Sequence, residues 1–113
     1  MNIKNHVQLI GRLGAEPEVK ILESGSKLAR FTIAVSEYCK NKQGEMVTNT
    51  QWHTIITWGS LANIAERILH KGTEVTIDGK LLNRLYTSKD GVKRSVTEIV
   101  ANELFVSYQQ KAA

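Results

Sequence analysis

The chain has one cysteine, no long apolar run and no grouped histidines, and each lack closes off a class of protein. Cys39 has no partner for an internal disulfide, which agrees with a reducing compartment. The uninterrupted apolar stretches are too short to span a membrane, and Met1-Asn2-Ile3-Lys4-Asn5-His6 lacks the apolar run of a secretory signal. A cytoplasmic location is therefore expected. His6, His53 and His70 are scattered, with no pair at helical spacing and no cysteine cluster, so neither a metal nor a cofactor is expected. Glycines occur singly and do not form a phosphate-cradling loop. With no catalytic constellation in view, the chain is not expected to be an enzyme. Internal repeats and low-complexity segments are also missing.

What is there suffices for one ordinary globular domain. At 113 residues and 42% hydrophobic, the chain can bury roughly two thirds of its unfolded surface without staples. The domain is expected to cover residues 1–107, followed by a short frayed tail at 108–113. The formal net charge is +4, from 15 Lys and Arg against 11 Asp and Glu, which allows a polyanionic partner without demanding one.

Read in order, the chain is a series of short strands. Val7-Gln8-Leu9-Ile10-Gly11-Arg12-Leu13-Gly14 alternates, with a bend or bulge at Gly11 and a stop at Gly14. Pro17 fixes a turn, and Val19-Lys20-Ile21-Leu22 extends to the turn signal Glu23-Ser24-Gly25-Ser26. From Leu28 to Tyr38, Ala29, Phe31, Ile33 and Val35 alternate with Arg30, Thr32, Ala34 and Ser36, and Phe31 reads as core. The polar loop Lys40–Glu45 returns the chain into Thr50–Gly59. Ser60 is placed to cap a helix whose apolar residues Leu61, Ile64, Ala65, Ile68 and Leu69 recur at helical spacing, with Gly72 as its stop. Val75, Ile77 and Gly79 mark a fourth strand and Thr97–Ala101 a fifth, with Asp90-Gly91 closing a hairpin between them. Such an order suits an all-β fold with one helix: a five-stranded Greek-key barrel of the oligonucleotide-binding (OB) type, the helix between strands 3 and 4.

Two stretches carry candidate binding chemistry. In the segment Thr50–Gly59, Trp52, Thr54, Ile56 and Trp58 share one strand face, and His53, Ile55 and Thr57 the other. The two indoles stand roughly 20 Å apart at strand rise, too far to pack on each other. Around the second hairpin, Arg84, Tyr86, Lys89, Lys93 and Arg94 face a single acidic residue, Asp90. Cations that track phosphates beside flat rings that accept unstacked bases are what single-stranded nucleic acid requires. Duplex reading fits less well, because the one helix spends its apolar face on packing and carries few cations.

With those residues in view, the chain resembles the bacterial single-stranded DNA-binding proteins from Val7 to about Leu104. The matching stretches are Leu9–Gly14 with Pro17-Glu18-Val19, Phe31–Glu37, Gln51-Trp52-His53, Trp58-Gly59 with Leu61-Ala62, Leu69 with Lys71-Gly72, and Gly79 with Leu81. The resemblance implies a homotetramer that binds single-stranded DNA without sequence preference during replication, recombination and repair, in the bacterial cytoplasm with the nucleoid. By position it makes Trp52, Trp58 and Tyr86 stacking residues, Arg84 and Arg94 basic residues near the DNA path, and His53 a subunit-interface residue with Ile55 beside it. A further family tryptophan aligns with Cys39, so Tyr38 is the candidate to replace it, and a family basic residue aligns with Thr54. The family's long linker and acidic, Phe-ending tip are not in this sequence, which suggests a tail-less member or a shortened chain and leaves contacts with other replication and repair proteins open. The alternative reading is an accessory OB-fold replication or primosome protein that binds DNA more weakly; a small nuclease on the same fold is a third.

Overall fold

The computed structural model describes residues 4–106; the expected tail at 108–113 lies outside them. Six strands and one helix follow one another as β1 (Val7–Leu13), β2 (Glu18–Ile21), β3 (Lys27–Lys40), β4 (Met46–Trp58), α1 (Ser60–Ile68), β5 (Glu74–Thr87) and β6 (Lys93–Val106). Neighbouring strands hydrogen-bond in the order β1-β5-β6-β4-β3-β2, and β1 also pairs with β3, which closes a five-stranded barrel. β1 and β2 take successive lengths of one edge of β3: Arg12 and Leu13 pair with Ala34 and Ile33, and Glu18–Ile21 with Arg30–Lys27. The other edge of β3 belongs to β4. Because the short β2 counts as a strand of its own, the helix lies between β4 and β5 rather than between strands 3 and 4. The barrel and the presence of a single helix are as the sequence leads one to expect.

Closure depends on close approach. β1 leaves β5 for β3 near Gly11, where a methyl group would stand 2.6 Å from the Ala34 carbonyl oxygen. Gly79 sits at the register shift of the β5–β6 pair, and a methyl there would run into the carbonyl oxygen of Val100. Each glycine removes a Cβ where two backbones meet. The last seam is short: β4 and β6 run parallel and are joined only through Ile55–Ile99 and Ile56–Val100.

Alternation accounts for the interior. Leu13, Ala29, Phe31, Ile33, Ile55, Val75, Ile77, Ile99 and Ala101 point inward from their strands, and Ala62, Ala65 and Leu69 close the core from the helix side. Thr57 is buried too, its hydroxyl donating to the Ala29 carbonyl at 3.0 Å, which satisfies the one polar group it carries inside. The helix packs on β3 and β4, and Lys27 reaches Glu66 across 2.6 Å. Ser60 is not the cap: Gly59, at φ 64°, precedes the first turn, and no side chain bonds its backbone. The helix ends at Leu69, whose extended backbone turns its apolar side chain into the core, while Gly72 serves the tight turn that follows.

Beyond the barrel, two hairpins continue as two-stranded arms. The β3–β4 turn is built on Asn41, whose Oδ1 accepts from the backbone N–H of Gln43 at 3.0 Å and of Glu45 at 2.9 Å. The β5–β6 turn is held by Ser88, whose N–H donates to the Val92 carbonyl at 3.0 Å, with Gly91 at φ 82°. That places the Asp90-Gly91 turn where its sequence signal put it.

Candidate nucleic-acid interface

Residues directly opposed across an antiparallel pair face the same way, so the register identifies one continuous outer face. On β4, Trp52, Thr54, Ile56 and Trp58 stand opposite Ala34, Thr32, Arg30 and Leu28 of β3. On β5, Leu82, Arg84 and Tyr86 stand opposite Glu98, Val96 and Arg94 of β6. The short β4–β6 seam joins the two halves, and a groove of about 370 Å³ lies across it. Trp58, Ile56 and Leu28 line one side, Leu82, Arg84 and Val100 the other. A second hollow, of about 310 Å³, adjoins it and is lined by Arg30, Arg84, Tyr86 and Val96. Trp58, Arg84 and Tyr86 therefore belong to one surface, although β4 and β5 are separated in sequence by the helix.

The two tryptophans are held differently. Trp52 is 61% exposed and lies over Gly14, where a methyl group would come within 2.6 Å of its Cζ3. Gly14 is itself fixed by its N–H to the Thr32 carbonyl at 3.1 Å. Two residues on, Glu16 accepts from the backbone N–H of Lys71 and from His70 Nδ1 at 3.0 Å, which ties this loop to the turn after the helix. The Lys71 bond above all, then His70, holds the Glu16 carboxyl below the usual carboxylate range. Trp58 stands beside Leu28 and Arg30 at the groove wall and is 43% exposed.

Arg84 is the most strongly anchored cation of this face. Its Nε and Nη2 donate to Oε1 and Oε2 of Glu98 at 3.1 and 3.2 Å, a two-pronged pair. The Glu98 side chain is only 4% exposed, that of Arg84 51%. Hydrogen bonding to Glu98, then its charge, pushes the Arg84 guanidinium up from its ordinary value. Arg94 Nη2 stands 3.6 Å from Asp90 Oδ2 at the hairpin end. The Asp90 carboxyl is held low, first by the Ser88 hydroxyl and then by the Val92 N–H.

The remaining candidates divide. Tyr38, 78% exposed, lies on the same face as Trp52 but well out along the arm, opposite Thr48. Lys89 occupies the β5–β6 turn. Lys93 is opposite Thr87 and so projects to the reverse side of the arm from Arg84, Tyr86 and Arg94. His53 is half-buried on the face opposite the tryptophans, beside Ile33. Ile55 requires a correction: it is 0% exposed, between Phe31 and Ile99 in the core, and has no surface to offer a neighbouring subunit. Alternation separates the two faces of β4, but the inner one is enclosed by the barrel here.

Two residues of this face escaped the sequence reading. Arg30 lines both hollows, and its outward phase in the alternating strand was the available signal. Glu98 is a carboxylate in the middle of an apolar strand, a pattern that calls for a buried partner. Among the described residues no group of three or more His, Cys, Asp or Glu is arranged to hold a metal, and no helix is long and apolar enough to cross a membrane.

Comparison with known proteins gives consistent matches. The model of the single-strand binding protein family matches residues 4–107. Single-stranded DNA-binding proteins of Neisseria meningitidis serogroups A and B are each 42% identical over 100 residues, covering 88% of this chain; the chain spans 58% of their length. Among solved structures, the Plasmodium falciparum SSB in complex with ssDNA superposes with a TM-score of 0.83 at 32% identity, over 96% of this chain and all of that one. A deletion mutant of the single-stranded DNA binding protein from Thermus aquaticus gives 0.81 at 25% identity, over 92% of this chain and 50% of that one.

Proposed function

The chain belongs to the single-strand binding protein family, and on that premise we propose that it binds single-stranded DNA without sequence preference and shields it during replication, recombination and repair. The observation that carries this reading is the continuous outer face on which Trp58, Arg30, Arg84 and Tyr86 meet across the β4–β6 seam. Exposed rings on a sheet accept unstacked bases at about 1 to 3 kcal/mol each, whatever the base, because every base has a π face. Trp52 and Tyr38 extend the row of rings along the β3–β4 arm. Cations follow the backbone, with Lys89 and Arg94 at the end of the β5–β6 arm and Lys93 on its reverse. The reading involves no catalysis and no metal or other cofactor.

Assembly is part of the proposal: four copies form the working unit, His53 contributes to a subunit contact, and the protein works in the bacterial cytoplasm with the nucleoid. What supports this is family membership and the half-buried position of His53 opposite the tryptophans. Sedimentation equilibrium at micromolar concentration should give a mass near four times 12.6 kDa, and a 12.6 kDa species alone would overturn it.

Titration of tryptophan fluorescence with oligothymidine at several salt concentrations tests the binding itself. Quenching is expected, with log affinity falling against log salt at about −0.7 per phosphate neutralised. Absence of both quenching and salt dependence would refute the proposal. Weak binding retained only at low salt would favour the accessory replication protein instead.

A further inference from the structure

The groove face contains a buried acid in a surface that should attract a polyanion. Glu98 lies beneath the outer face, with its side chain 4% exposed, and both of its oxygens are taken by Arg84. The pair is electrically neutral at the place where a phosphate clamp would need net positive charge. Moving the guanidinium onto a phosphate would strand the Glu98 carboxylate in a site with little water, which is unfavourable because a buried charge is left without its partner. Arg84 therefore stays on Glu98 when a strand arrives.

A guanidinium fixed by Nε and Nη2 is a rigid plane whose two flat sides are open to stacking, and the three N–H groups left to it donate from a pair without net charge. Arg84 lines both hollows, with Trp58, Ile56 and Leu28 in one and Tyr86 and Val96 in the other. It is thus a partition between two adjacent sites, each of which has an aromatic ring. Arg30 also borders both hollows, and among the described residues it has no carboxylate within ion-pair distance, although Glu18 lies opposite it in register.

We infer that Glu98 is a positioning residue that converts Arg84 from a phosphate-neutralising cation into a flat partition on which bases stack, separating a base site beside Trp58 from one beside Tyr86. The inference rests on the reading of this face as a platform for single-stranded DNA. It assigns Arg84 to the sequence-tolerant stacking part of binding and leaves the salt-dependent part to the other cations.

Three measurements on the full chain test it. Arg84→Lys keeps the charge and can still pair with Glu98 but has no plane; affinity for oligothymidine should fall about 5- to 150-fold, as for a lost stack. Arg84→Met combined with Glu98→Leu removes the pair without leaving a buried charge; affinity should fall as far, with the salt slope unchanged. Both variants should bind an abasic deoxyribose-phosphate oligomer as the parent does. Parental affinity of Arg84→Lys for oligothymidine would overturn the assignment. So would a slope shallower by about 0.7 in the double variant, the signature of one lost phosphate contact. Glu98→Gln, which releases the charge of Arg84, should steepen the slope by about 0.7, and rejection follows if the folded variant keeps the parental slope. Failure of the parent to bind oligothymidine at all would instead refute the proposed function.

Discussion

The β3–β4 and β5–β6 hairpins are nearly equal in strand length, 14 and 13 residues against 14 and 14, yet their outer faces are written in different chemistry. From Thr32 to Tyr38 and from Thr48 to Thr54, the outer residues of the first are Thr32, Ala34, Ser36, Tyr38, Thr48, Thr50, Trp52 and Thr54, without a charge. The corresponding row of the second, from Leu82 to Tyr86 and from Arg94 to Glu98, contains Arg84, Arg94 and Glu98 around Tyr86. A polyanion crossing the barrel would stack on the first arm and meet charge on the second. The first row offers rings alone, whereas the second sets a ring among charges, so a stacking contact can be removed from the first without touching a charge.

The largest expected effect comes from the uncharged stretch of the first arm. Trp52→Ala should weaken oligothymidine binding by about 1 to 3 kcal/mol, roughly 5- to 150-fold, and leave the salt slope where it is. A changed slope would break the comparison, since it would show the two arms acting as one electrostatic unit. A smaller loss is expected from Gly14→Ala, whose methyl must push the indole of Trp52 off its seat. Affinity should fall several-fold with a shift in tryptophan emission, and parental values in both would show that the seat does not matter. On the charged arm, Arg94→Gln should act in the opposite manner, with a slope shallower by about 0.7 and a modest change at low salt. Isothermal titration across a salt series distinguishes the two patterns.

The smallest effect concerns the loop beneath Trp52. Because the folded protein holds the Glu16 carboxyl low, its contribution to stability is present above the ordinary carboxylate range and is lost as pH falls through the depressed value. Thermal melts between pH 5 and pH 3 should therefore fall a little more steeply for the parent than for Glu16→Gln. Parallel curves would mean that the tie between this loop and His70-Lys71 contributes nothing measurable. The exposed position of both side chains keeps the expected difference small.

Most of the barrel was legible because half-buried strands alternate. Ala29, Phe31, Ile33 and Val75, Ile77 name their inner faces directly, and all five are buried. The arms were less legible. Leu81, Leu82, Leu85 and Tyr86 are apolar on both phases of β5, since neither side of a projecting ribbon is core, so a strand that runs to Thr87 read as ending near Gly79. Ile55 shows the opposite limit, for alternation gives its face but not what covers that face. Arg84 and Glu98 lie 14 residues apart and diagonally across a hairpin, a contact fixed by register after the Gly79 shift and by nothing local. The tryptophans were found because they are few; Arg30 was missed because arginines are not.

The seam between β4 and β6 is a mechanical joint as well as the floor of the groove. Two register pairs hold it, Ile55–Ile99 and Ile56–Val100, against thirteen between β3 and β4. The groove lies over that seam, with Ile56 and Trp58 on one bank and Glu98 and Val100 on the other. A strand of DNA seated there would be a suture across one of the two shortest joins of the barrel, so occupancy and closure would reinforce each other. Backbone amides of Ile55 and Ile99 should exchange more slowly with oligothymidine bound, while those in the middle of the β3–β4 ladder, already held by many neighbours, should change little.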